Sequence, residues 1–312
     1  MIFGLLAALG WGLSDLCAAI ASRRAGSRQV TVLAQIAGLI GFAVLIVVVR
    51  PTWGLPARDV LLLLGSGTFA GVAYFALYRG LELGPIALVS PIASAFSAVT
   101  VLLAVVVLDE SLGGIEILGV CATLVGVILS STDVRRLGAE AKKHRRGIPF
   151  GIAAMIGFGV AAFASGAYAQ TYGWLPPIAI SRVGSFGLIV VVTLATARKA
   201  AAARATPPLE DGLAGTEPTE SERAFLSPGN PRSAANLALA AFVGLVDIVG
   251  IAAYARGSEL GLISITAAVS ATFTLLPVLG GVTIFGERPA PNQIAGVALV
   301  VAGLVLLGIG GA

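Results

Sequence analysis

The chain has one histidine, two cysteines and a charged side chain at only 12% of its 312 positions. A soluble domain carries about 25% charged residues, so this chain lacks the polar surface that would keep it in water. Cys17 and Cys121 stand alone inside apolar runs, with no C-x-x-C pair and no nearby histidine, which argues against a redox or zinc motif and leaves both as packing residues. The lone His144 lies in a basic run, and the chain contains no G-x-S-x-G, H-E-x-x-H or G-x-x-x-x-G-K-[ST] pattern. No cofactor and no metal are expected, and ATP is excluded as a direct energy source.

What is present is apolar: 57% hydrophobic residues, a mean hydropathy of +0.96 and 40 glycines. The apolar runs are unbroken over roughly the 20 residues that cross a hydrocarbon core. They do not alternate over about 10 residues as barrel strands do. The fold class expected is an all-α polytopic membrane protein with ten transmembrane helices, at about residues 2–21, 29–49, 60–78, 85–108, 112–131, 149–169, 175–197, 234–255, 261–285 and 290–310. Most connections read as tight polar turns, such as Arg79 to Gly84. The first span has no basic leader and is followed by Arg23 and Arg24, which reads as a retained helix and not a signal peptide.

Charge sets an orientation. Of the 20 basic residues, 16 fall on the connections after spans 1, 3, 5, 7 and 9. The positive-inside rule puts those connections in the cytoplasm and both termini outside, in a multi-pass protein of the plasma membrane. The net charge of +4 is thereby topological, and no nucleic-acid partner is expected. One cytoplasmic connection, 133–147, is basic (Lys142, Lys143, Arg145, Arg146) and suited to topological anchoring or to anionic headgroups. Another, 198–233, is rich in Pro, Gly and acidic residues and reads as a flexible insertion.

The sequence also repeats itself. At an offset of 177, residues 79–129 align without gaps to 256–306 with 16 identities in 51 positions, including Arg-Gly-x-Glu-Leu-Gly, Phe96 with Phe273 and Glu110 with Glu287. At an offset of 147, Gly4, Gly10 and Gly12 meet Gly151, Gly157 and Gly159, with Trp11 opposite Phe158. The offsets differ by 30 residues, about the size of the insertion. Five spans per copy is an odd number, so the second copy enters the membrane from the opposite side. Such inverted-topology repeats give two nearly equivalent packings around a midplane site. The domains expected are a first five-helix repeat over 1–132, the basic connection 133–147, and a second repeat over 148–312 that carries the insertion 198–233.

On Trp11-Gly12 in the first span, the paired Glu110 and Glu287, and the spaced glycines Gly119, Gly126, Gly296 and Gly303, the chain resembles the ten-helix EamA branch of the drug/metabolite transporter superfamily. The resemblance implies a secondary transporter, an exporter of small organic solutes such as amino acids, metabolites or drugs, with the lipid bilayer and a small-molecule substrate as partners. A homodimer is a further partner it allows. It implies spans 1, 3, 4, 6, 8 and 9 around a central cavity, with spans 5 and 10 at the periphery. Gly113, Gly119, Gly126, Gly296 and Gly303 suit close helix contact.

Ionisable groups in mid-span cost about 2.5–3.5 kcal/mol on insertion scales and mark function by default. Asp15, Arg182 and Asp247 qualify. Asp15 follows Trp11 by four residues and shares its helical face, an aromatic platform beside a carboxylate that suits an amine or a proton. Asp247 shares a face with Tyr254, and Tyr74 and Tyr78 lie at comparable depth in span 3, where Ala70 aligns with Asp247. Substrate or proton binding is expected at Trp11, Asp15, Tyr74, Tyr78, Arg182, Asp247 and Tyr254. Arg182 either snorkels outward or pairs with one of the two aspartates. Pro91 and Pro277 are expected to shape spans 4 and 9, and Glu110 and Glu287 to meet helix ends, neighbouring helices, Arg79 or Arg256. The alternatives to a carrier are a facilitative channel-like permease and an intramembrane hydrolase using Asp15 and Asp247.

Overall fold

The computed structural model describes residues 1–25, 27–83, 92–132, 147–203, 234–284 and 289–310. Among these residues the structure is all-α, with no strand. The helices are α1 (Ile2–Ala25), α2 (Ser27–Val49), α3 (Ala57–Leu83), α4 (Phe96–Val107), α5 (Gly114–Ser131), α6 (Ile148–Tyr172), α7 (Leu175–Ala203), α8 (Ala234–Leu260), α9 (Ile263–Ser270), α10 (Leu275–Ile284) and α11 (Pro291–Gly310). A 3₁₀ turn, Ala271–Thr274, joins α9 to α10. Six segments are long and apolar enough to cross a membrane by length and composition alone, and four shorter apolar ones accompany them.

The burial pattern says what surrounds the bundle. On α5, the buried face is mostly small or hydroxylated (Gly119, Thr123, Gly126 and Ser130, with Val120 and Val127), while Ile115, Ile117, Leu118, Val125 and Ile128 are exposed. Small and hydroxylated residues inside with large aliphatic ones outside would be unstable in water, where apolar area is driven inward. In lipid it is the stable arrangement, because helix association there rests on close packing and not on hiding apolar surface. The chain is a multi-pass membrane protein.

Close packing is concentrated at glycines. α5 lies against α11, and a Cβ on Gly126 would stand 2.7 Å from the Val300 nitrogen and 2.8 Å from the Gly296 oxygen. Gly113 takes no part in this seam. It is the N-cap of α5, and its N–H donates to Glu116 Oε2 at 2.7 Å. Elsewhere α1 packs on α8 and α3 on α6, while α2 crosses α8 and α7 crosses α3. A Cβ on Gly67 would land on the Ser181 carbonyl, and one on Gly244 would land on that of Ala34.

Several expectations from the sequence shift here. Residues 79–83 and 256–260, expected as tight turns, are the last turns of α3 and α8. In α8 the i,i+3 spacing lets Arg256 pair with Glu259 at 2.5 Å, a contact the helix itself creates. α7 runs on to Ala203, six residues into the segment expected to be a flexible insertion. Cys121 is exposed on α5 and does not pack, whereas Cys17 is half-buried. Pro91, Glu287 and the basic run 133–146 lie outside the described residues, as do the side chains of Tyr78 and Pro277.

Spans 4 and 9 both depart from regular α-helical hydrogen bonding, at positions equivalent under the 177 offset. Before α4, Ala95 and Ala98 donate to the carbonyls three residues back, at 3.2 and 3.0 Å. In span 9 the 3₁₀ turn Ala271–Thr274 occupies the corresponding place, and Pro277, in the first turn of α10, has no N–H to bond the Phe273 carbonyl. In span 4, Thr100 stands where Pro277 does, and its hydroxyl donates both to the Phe96 carbonyl at 3.2 Å and to the Gly159 carbonyl at 3.1 Å. Proline is thus one of two local devices at this irregular turn. Gly12 and Gly159 let α1 and α6 close on these turns: a Cβ on either would stand 2.7 or 2.8 Å from the carbonyl of Phe273 or Phe96.

Candidate functional site: a charged cavity inside the bundle

The irregular turns place Phe96 and Phe273 on the wall of an internal cavity of about 280 Å³. Its aromatic wall is continuous. The Trp11 ring lies 6.2 Å from Phe96, 5.7 Å from Tyr254 and 6.0 Å from Phe273, and Tyr74 meets Phe158 edge-on at 4.8 Å. Gly250 lets the indole lie against α8, since a Cβ there would stand 2.8 Å from Trp11 Nε1. Of the residues expected in the site, Trp11, Asp15, Tyr74, Arg182, Asp247 and Tyr254 all line this one cavity.

Span 7 also belongs to the cavity, which the resemblance did not imply. α7 contributes Ile178, Ser181, Arg182 and Ser185. Arg182 does not snorkel. Its guanidinium Nη2 pairs with Asp247 Oδ2 on α8, and both side chains are largely covered. The Tyr74 hydroxyl stands beside the same guanidinium. Two desolvated opposite charges in contact are far cheaper than either alone, so the pair explains how both charges are tolerated at this depth.

Asp15 is placed differently. It is exposed to the cavity, one helical turn beyond Trp11, and it has no hydrogen-bond or ion-pair partner among the described residues. Its strongest electrostatic neighbour is Asp247. Tyr254 is buried and donates its hydroxyl to the Ala162 carbonyl at 3.3 Å, which fixes the ring beside Trp11.

Glu110 meets a helix end on a neighbouring helix, one of the roles expected for it, and does not take Arg256. Asp109 adopts the left-handed conformation (φ 51°) and ends α4, with the Glu110 N–H reaching back to the Ala104 carbonyl at 3.4 Å. The carboxylate is then delivered to the start of α9. It accepts from the Ile263 N–H at 2.7 Å, the Ser264 N–H at 3.0 Å and the Ser264 hydroxyl at 2.6 Å. α9 has no cap of its own, since its N-cap residue is Leu262. Glu110 thus caps a helix more than 150 residues away; Arg256 is taken by Glu259.

Residues 1–132 match the model of the EamA-like transporter family. This part of the chain is similar to that family. The EamA-like match covers α1 to α5, the segment that supplies Trp11, Asp15, Tyr74, Phe96 and Glu110. A solved crystal structure is similar to the chain in fold, with a TM-score of 0.61 at 19% identity, covering 99% of this chain and 96% of that one. No curated protein matches the chain in sequence.

The Phe pair, Phe158 and the serines of α7 went unnoticed as site residues in the sequence. The signal for the first existed: Phe96 and Phe273 are identical at the 177 offset, and Trp11 faces Phe158 at the 147 offset. Nothing in the sequence pointed to Ser181 or Ser185.

Proposed function

We propose that the chain is a secondary transporter of small organic solutes, built as ten spans in two inverted five-helix repeats and working by alternating access. The observation that carries it is a cavity inside a membrane bundle, lined from both halves and holding three ionisable side chains. The EamA-like match of the first half supports it. So does packing that recurs at the repeat offsets. Contacts of α1 with α8 and of α2 with α8 have counterparts in α6 with α3 and α7 with α3. Gly67 against Ser181 has its counterpart in Gly244 against Ala34. Two such copies offer two packings of similar energy, one open to each side.

Asp15 and Asp247 are the groups through which proton coupling would run, the direction we assign is export, and the termini lie outside the plasma membrane. The test is uptake into proteoliposomes with a counterflow arm. A carrier accumulates labelled solute transiently against an internal unlabelled pool, and a channel does not. Non-saturating flux without counterflow would refute alternating access. Unchanged pH dependence in both Asp15→Asn and Asp247→Asn would remove the coupling role.

A further inference from the structure

The charges of the cavity do not balance, and the imbalance points to a ligand class. Among the described residues the cavity holds two carboxylates, Asp15 and Asp247, and one cation, Arg182. Arg182 is paired with Asp247 and has the Tyr74 hydroxyl beside it, so among the described residues no unpaired positive group faces the cavity to receive an anion. Asp15 faces the cavity with no partner of its own among the described residues. An unpaired carboxylate inside a membrane bundle is costly unless something neutralises it.

The surfaces around Asp15 are those a positively charged organic group would meet. Trp11, four residues earlier on the same helical face, has its ring flanked by Tyr254, Phe96 and Phe273 at 5.7–6.2 Å. A cation over an aromatic face within about 6 Å gains on the order of 0.5–2 kcal/mol, most where water is excluded. The volume of about 280 Å³ lies just below the usual range of ligand cavities, about 300 to 1,000 Å³, and so suits a small solute.

We propose, resting on the transporter reading above, that the solute is a small organic monocation whose ammonium group pairs with Asp15 while its apolar body lies against Trp11, Phe96 and Phe273. An organic anion would meet Asp15 with no free counter-charge. A zwitterion would have to share Arg182 with Asp247 to seat its carboxylate, against the repulsion of Asp247 and Asp15.

The test uses four molecules of one shape: 2-phenylethylamine (cation), phenylalanine (zwitterion), phenylacetate (anion) and 2-phenylethanol (neutral). Binding to the purified full-length protein in detergent is read by thermal shift and by titration calorimetry. Flux of each is then read in proteoliposomes. The expected result is that phenylethylamine binds at least about tenfold more tightly than the other three. Asp15→Asn should weaken it at least about tenfold, the loss of one charged hydrogen bond. Trp11→Leu should weaken it further, and Trp11→Phe less.

Equal or tighter binding of phenylalanine or phenylacetate would overturn the proposal, as would an unchanged affinity in a monodisperse Asp15→Asn protein. Asp15-dependent amine binding with no flux would uphold the cation site and refute the transporter reading. Flux of another class without amine binding would do the reverse.

Discussion

Removing the Glu110 carboxylate should loosen the end of the bundle where α1 begins. Glu110 follows α4 and caps α9, so under the proposed alternating access that end would open only once the cap is broken. Its three hydrogen bonds are each of a kind worth about 1.5–3 kcal/mol net, and a negative charge at a helix N-terminus adds about 0.3–1 kcal/mol. These terms are not additive. The lower limit of one such bond, about 1.5 kcal/mol, already shifts a closed-to-open ratio about tenfold. Glu110→Gln keeps one acceptor and loses the charge, so it should fall between wild type and Glu110→Ala. The assay starts from a protein with Cys17 and Cys121 replaced and a cysteine placed in the cavity as Ser165→Cys. Labelling by a membrane-impermeant maleimide is timed from each face of oriented proteoliposomes. Glu110→Ala should raise the labelling rate at least about tenfold from the Met1 face and not from the other. Equal rates in all three proteins, or acceleration only from the opposite face, would refute the link between this cap and closure.

Arg182→Gln should lower the melting temperature sharply, because it leaves Asp247 buried without its partner at a cost of about 3–5 kcal/mol; Arg182→Gln with Asp247→Asn should recover most of the loss, and a double variant no more stable than the single would show the pair is not the reason. Gly126→Val should destabilise by more than about 1–3 kcal/mol, since the added Cβ meets backbone of α11 within 3 Å and cannot be relieved by a rotamer change. Gly65→Ala, with nothing within 4 Å of the new Cβ, should be neutral or stabilising by up to about 1 kcal/mol, and thermal unfolding in one detergent compares the two.

The membrane environment and the approximate positions of the helices could be read in the sequence, because lipid imposes a simple requirement: long apolar segments that satisfy their own backbone. The ends could not. Arg79–Leu83 and Arg256–Leu260 look like punctuation by composition, yet they continue α3 and α8, since Arg256 and Glu259 meet only if the helix goes on. The site was partly legible for the reason that makes charge rare in membranes. Asp15, Arg182 and Asp247 stand out against an apolar background, and all three line one cavity. Which aspartate Arg182 takes, and what Glu110 binds, depend on side chains brought together across 65 and 153 residues. Spacing within one helix carries no information about such pairs. Gly113 shows the converse, since its composition suits a packing seam and its position makes it a cap.

The aromatic and polar parts of the cavity follow different rules under the proposed repeat. Four of the six aromatic wall positions are duplicated, Trp11 with Phe158 and Phe96 with Phe273. The polar positions occur once: Asp15 stands opposite Ala162, Asp247 opposite Ala70, Arg182 opposite Gln35, Tyr74 opposite Ile251 and Tyr254 opposite Leu77. Duplicated aromatics suit a wall that must pack equally well in two arrangements, since a bulky residue on one side alone would bias the equilibrium toward one of them. Charges obey the opposite constraint. A second unpaired carboxylate would add its own desolvation cost and repel the first across a cavity of about 280 Å³. A single one gives the solute one orientation. A solute bound equally well in both packings leaves the balance between them where the protein set it. Under the proposed function the single-copy charges would therefore govern which solute enters, and the duplicated wall how readily the bundle exchanges one opening for the other. Trp11→Phe, which makes the first-half position match Phe158, should change affinity through the lost indole while leaving the exchange rate in counterflow within about twofold. A large change in exchange with unchanged affinity would show that wall and charges are not separable in this way.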